Sequence, residues 1–128
     1  MGKVVRASCL ECGERFELSR GGGFTFHLLG CDTCGRTTAV SFAALGILHL
    51  RYLKGLPGPY CFATAEHDEQ VRTSTSVEPI STEEYHRGIQ NFVGNCPCGG
   101  KYAFAAPARC PQCHSTRIAE GGVVICYD

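Results

Sequence analysis

Hydrophobic and polar positions alternate along both ends of the chain and follow a helical period in the middle. Phe16 and Leu18 alternate with charged neighbours, as in a half-buried strand. Gly21-Gly22-Gly23 interrupts the run, and Phe24, Phe26 and Leu28 then alternate with Thr25, His27 and Leu29. The pattern predicts strand, glycine turn, strand, with His27 on the exposed face opposite Phe24 and Phe26. Thr37 to Val40 reads as a third short strand. Ser41 is placed as the N-cap of a helix over 42–53, whose apolar side (Leu45, Leu48, His49, Tyr52, Leu53) recurs at helical spacing; Ile47 and Leu50 make it apolar nearly all round. Leu56-Pro-Gly-Pro-Tyr60 ends it.

Residues 66–79 are polar, acidic and then rich in Ser and Thr, and read as a long loop. Ser81-Thr-Glu-Glu84 is a capping box, Ile80 and Tyr85 fit a hydrophobic staple, and Gly94 fits a C-cap, so a helix is predicted over 82–93. Beyond it, Tyr102 and Phe104 share a face. Arg117–Ala119, Glu120-Gly121-Gly122 and Val123–Tyr127 read as a closing hairpin. The expected fold is small α+β: residues 1–41 and 95–128 as two β-ribbons, joined by a helical connector with an acidic polar loop over 42–94.

Composition changes this picture in one respect. The chain has 128 residues, with 12 Lys and Arg against 12 Asp and Glu. That balance argues against a strongly basic nucleic-acid protein, and no apolar run reaches the roughly 18 residues of a membrane span. The abnormal number is ten cysteines. Met1-Gly-Lys-Val-Val-Arg6 has no apolar h-region, so a cytoplasmic location is expected, where thiols are metal ligands more often than disulfides. Cys9-x-x-Cys12 and Cys31-x-x-Cys34 are separated by 18 residues, and Cys96-Pro-Cys98 and Cys110-x-x-Cys113 by 11. A C-x-x-C turn presents two sulfurs to one ion, and two such turns complete a tetrahedral zinc shell. The spacing predicts one four-cysteine site at Cys9, Cys12, Cys31 and Cys34, and a second at Cys96, Cys98, Cys110 and Cys113. Gly13 and Gly35 follow their knuckles as the tight turn asks, whereas His114 stands where a glycine is expected and is an alternative ligand. Cys61 and Cys126 remain, and read as buried apolar thiols.

These motifs resemble the zinc-ribbon, or rubredoxin-like, fold group over about half of the chain. The resemblance implies metal and a small β fold. It implies no one function, since zinc ribbons dock proteins, bind nucleic acids and append enzymes alike. Two Zn2+ are the expected cofactors, with iron as the alternative, since tetrahedral sulfur suits both.

Eight thiolates and two Zn2+ would bring the formal charge to about −4. Residues 66–84 hold Glu66, Asp68, Glu69, Glu78, Glu83 and Glu84 against Arg72 alone. The expectation is a protein-binding module (adaptor, inhibitor or assembly subunit), with the helix over 42–53 and the acidic segment as its surface, and that helix also as a route to self-association. Nucleic-acid binding through ribbon aromatics, and rubredoxin-like electron transfer, are the alternatives. Catalysis is not expected, because a four-thiolate zinc has no open position. The H-x-E of His67-Asp68-Glu69 with the Cys110 pair is only formally deaminase-like, because Arg109 stands where that pattern has proline.

Overall fold

A computed structural model describes residues 2–74 and 76–128. Among the described residues six strands and four α-helices follow one another as β1 (Gly2–Cys9), β2 (Arg15–Arg20), β3 (Phe26–Cys31), β4 (Thr37–Ser41), α1 (Phe42–Leu45), α2 (Ile47–Gly55), α3 (Ala65–Ser74), α4 (Thr82–Val93), β5 (Tyr102–Ala103) and β6 (Ile118–Tyr127). They build two antiparallel three-stranded sheets, ordered β2-β1-β6 and β4-β3-β5. Among the described residues no helix is long and apolar enough to cross a membrane.

Each sheet draws strands from both ends of the chain. In the first, Cys9–Gly13 forms the tight turn between β1 and β2, and β6 adds from the far end with Cys9 opposite Ile118 and Gly2 opposite Tyr127. Val5, Ala7 and Leu18 form the core of this sheet, with Phe16, Ala108 and Ile118 packed against it. In the second, β3 pairs β4 through the Cys31–Gly35 turn and pairs β5 at Gly30 and Cys31.

Three expectations change here. The hairpin across Gly21-Gly22-Gly23 does not form, because β2 pairs with β1 across the Cys9 knuckle and β3 belongs to the other sheet; the glycines instead carry the chain from one sheet to the other. A Cβ on Gly22 would lie 2.7 Å from the Phe26 carbonyl, so the crossing passes too close for a side chain. Residues 118–127 are one strand, not a hairpin. Gly121-Gly122 falls where the register against β1 shifts between Val5 and Ala7, so the pair is a bulge and not a turn. The polar segment is largely helical: α3 occupies 65–74 and buries Asp68 and Val71.

The helical segment matches its sequence at the ends and departs in the middle. Ser41 caps α1 by accepting from the Ala44 amide at 3.1 Å, but Gly46 at φ 57° separates α1 from α2. Around α4 both halves of the capping box are present, and Gly94 closes it with its amide donated to the Gln90 carbonyl. Ile80, Tyr85 and Ile89 join Leu29, Cys31, Val40, Leu45, Cys96 and Tyr102 in the larger core, with Leu48 and Tyr52 against it. The apolar helix is thus largely covered from within. A Cβ on Gly88 would come within 3.0 Å of the Leu48 methyls, which fixes how closely α4 approaches α2.

Candidate metal centres

The eight paired cysteines assemble into two groups, Cys9, Cys12, Cys110 and Cys113, and Cys31, Cys34, Cys96 and Cys98, with all sulfurs in a group within 4.8 Å of one another. This corrects the expected partition. Cys9 and Cys12 do not meet Cys31 and Cys34, and Cys96 and Cys98 do not meet Cys110 and Cys113. The groups are nested: the first knuckle closes with the last, and the second with the third. The reason lies in the strands. β6 returns to β1 and brings the Cys110 knuckle with it, whereas β5 returns to β3 and brings the Cys96 knuckle. The ribbons are therefore not confined to residues 1–41 and 95–128; each takes half its ligands from either end.

The geometry suits a tetrahedral ion. Cys9 Sγ lies 3.5 Å from Cys113 Sγ, Cys12 3.5 Å from Cys110, Cys31 3.5 Å from Cys98, and Cys34 3.6 Å from Cys96. Four sulfurs at ~2.3 Å from one zinc would be separated by about 3.8 Å, so these pairs need open only slightly to take the ion. Backbone amides turn in toward the sulfurs. Glu11 and Cys12 donate to Cys9, Thr33 and Cys34 to Cys31, Gly100 to Cys98 and Gln112 to Cys110, at 3.3–3.5 Å. Such donors favour thiolate over thiol. The Cys12 amide, with help from Glu11, holds Cys9 at about 7 against the cost of burial. The Cys98 amide holds Cys96 at about 6. Cys12 is pushed up to about 12 even though the Glu14 amide donates to it, because burial and its neighbouring sulfurs oppose a second anion. Four thiols this close carry their full charge only with a cation between them.

The knuckles share one backbone device. Gly13 and Gly35 return their amides to the Cys9 and Cys31 carbonyls at 3.0 and 3.1 Å, at φ 77° and 79°. His114 does the same to Cys110 at 2.9 Å with φ 63°, a left-handed conformation where glycine is the unstrained residue. His114 is thus the turn residue of its knuckle, and the ligand groups contain no histidine. Arg109 joins the two centres. Its Nε donates to the Asp32 carbonyl in one knuckle and its Nη1 to the His114 carbonyl in the other, both at 2.9 Å. Gly100 is required by proximity, since a Cβ there would lie 2.6 Å from Cys31 Sγ.

The two remaining cysteines lie outside both groups. Cys126 is exposed on β6, against the expectation of a buried thiol, because β6 is the outer strand of its sheet. Cys61 is half-buried, with Sγ 3.2 Å from Thr64 Oγ1.

A second cluster, away from the sulfurs, was hidden in the sequence because its residues read as apolar helix or polar loop. His27 is buried, not exposed as its alternation predicts. Tyr85 Oη lies 2.8 Å from His27 Nε2 and 2.7 Å from His49 Nδ1, so the hydroxyl donates to one imidazole and accepts from the other. Burial pushes both histidines down to about 4, and pushes the Tyr85 hydroxyl up. Asp68, 2% exposed, accepts from the Tyr60 amide at 2.8 Å, from Thr64 Oγ1 at 2.7 Å and pairs with His67 Nδ1 at 3.2 Å. A histidine counted on the apolar face of a helix was the one signal of this cluster in the sequence. His67 belongs here and not with Cys110, which removes the deaminase-like arrangement.

Fold and site together define a small α+β protein with two nested four-cysteine centres, each able to hold a metal ion. The chain belongs to the family described as Domain of unknown function (DUF8255), whose model matches residues 5–119. The match takes in all eight clustered cysteines. No curated protein matches the chain, and no solved structure does.

Proposed function

We propose that the protein is a zinc-stapled protein-binding module whose docking element is β6, taking an extended apolar segment of a partner protein as an added strand. One observation carries this reading. β6 is the ten-residue outer strand of its sheet, and Val123, Val124 and Ile125 on it are 54%, 42% and 58% exposed. Among the described residues β6 pairs only with β1, which leaves a row of backbone donors and acceptors beside an apolar surface. The Gly121-Gly122 bulge and the Arg20–Glu120 ion pair lie at the start of the strand, before the exposed apolar triplet.

The chemistry of the centres supports a structural role for the metal. Eight thiolates and no carboxylate favour zinc over harder cations, and four thiolates close the shell to water. A second copy is the poorer occupant. Antiparallel self-pairing that stacks the apolar triplet about Val124 sets Glu120 against Asp128 of the other chain, and like charges in facing positions destabilise a sheet. An apolar strand with basic flanks fits better.

The reading is tested with the zinc-loaded full chain and a displayed library of random extended peptides. Enriched peptides should be apolar with Lys or Arg at the flanks, should protect the β6 amides from hydrogen exchange, and should lose binding to Ile125→Lys. Enrichment of none, or protection mapping away from β6, overturns it. So does a dimer of the unliganded chain that Ile125→Lys dissolves.

A further inference from the structure

A cavity of about 310 Å³ opens where α1, α2 and α3 meet. Phe24, Phe42 and Tyr60 wall it with aromatic rings, and His49, His67 and Asp68 supply its polar edge. The Phe42 and Tyr60 rings stand at 89° to one another with centroids 5.4 Å apart, so they form a corner. Phe42 also stacks on His49 at 3.9 Å. No lysine or arginine lines the space.

We infer that this cavity binds a small methylated ammonium cation, held against the Phe42–Tyr60 corner by the ring faces and by the field of the Asp68 carboxylate. Aromatic faces carry partial negative charge and attract weakly hydrated cations, most strongly where water is excluded. Among the described residues of the lining, Asp68 adds the one fixed charge. It is almost fully buried, and its partners are an amide, a hydroxyl and a histidine, so no permanent cation offsets it. Both carboxylate oxygens already accept from local donors, which favours a ligand that needs no hydrogen bond of its own, such as a quaternary ammonium. His49, kept neutral by burial, adds a ring face without adding repulsion.

The probe is choline, compared with 3,3-dimethylbutan-1-ol, which has the same shape without the charge. Both are titrated into the zinc-loaded chain and followed by NMR shifts of the Phe42, Tyr60 and His49 rings. Choline should saturate those shifts and bind at least about 10-fold more tightly than the alcohol. Phe42→Leu should weaken choline by about 3- to 10-fold, and Asp68→Asn should bring it down to the level of the alcohol. Equal binding of the two molecules overturns the inference, as does the absence of ring shifts up to about 50 mM choline. Should Asp68→Asn fail to fold, the charged and neutral probes on the native chain decide the matter alone. The β6 edge has no part in this test, so the two readings stand or fall separately.

Discussion

His114 carries its knuckle at a cost in backbone energy. A residue with a Cβ at φ 63° is strained by about 1–2 kcal/mol, part of which glycine would return as chain entropy in the unfolded state. His114→Gly should therefore stabilise the zinc-loaded protein by about 0.5–1 kcal/mol, read from the midpoint of urea unfolding. Loss of metal in that variant would instead make the imidazole a ligand. The buried Tyr85 hydroxyl answers to two imidazoles at once. Tyr85→Phe leaves a nitrogen of each without a partner and should cost about 2–4 kcal/mol in the same assay. The histidines also set an acid limit. Their folded values near 4 lie below the ordinary 6.5, so the unfolded chain binds more protons between those limits. Their contribution is fully present above pH 6.5 and is lost as pH falls toward 4. Protonation of thiolates adds to acid unfolding, so the comparison is between the native chain and the His27→Gln, His49→Gln double variant. The variant should lose stability less steeply across that window.

At the scale of elements, local signals and tertiary pairing divide the chain. α4 was legible in full, because Ser81, Glu84, Ile80, Tyr85 and Gly94 act within or beside the helix they bound. Ser81→Ala should cost about 1 kcal/mol of unfolding free energy, since the Glu84 amide loses its acceptor. The α3 segment was misread because its composition is that of a loop. Its helix is held by one buried carboxylate tied to the Tyr60 amide, a contact eight residues back that no local pattern announces. β6 was misread for a related reason. A Gly-Gly pair between apolar runs suits a hairpin turn and a bulge alike, and only the β1 partner decides between them.

At the scale of the molecule, nesting has a consequence that separates it from sequential pairing. Replacing Cys9, Cys12, Cys110 and Cys113 together by serine should leave the other centre whole and one metal ion per chain by native mass spectrometry. Replacing Cys9, Cys12, Cys31 and Cys34 should damage both centres and leave none. Under sequential pairing the two outcomes would be exchanged. The inner set should also matter more to folding, because Cys31 and Cys96 are buried within the larger core among Leu29, Tyr85 and Ile89, while the outer set lies beside a smaller one.

The sequence by itself determined which side chains are ligand candidates, where the knuckles turn, where α4 begins and ends, and that a small α+β fold is involved. These follow from short-range chemistry: cysteine spacing, cap residues and alternation over a few positions. The tertiary structure alone decided which knuckles share an ion, that β6 is one exposed edge strand, and that His27, His49, Asp68 and Tyr85 converge. Cysteine pairs are chemically equivalent, so spacing cannot rank their partners. Only the return of β6 to β1 and of β5 to β3, across most of the chain, brings one pair of sulfurs to another.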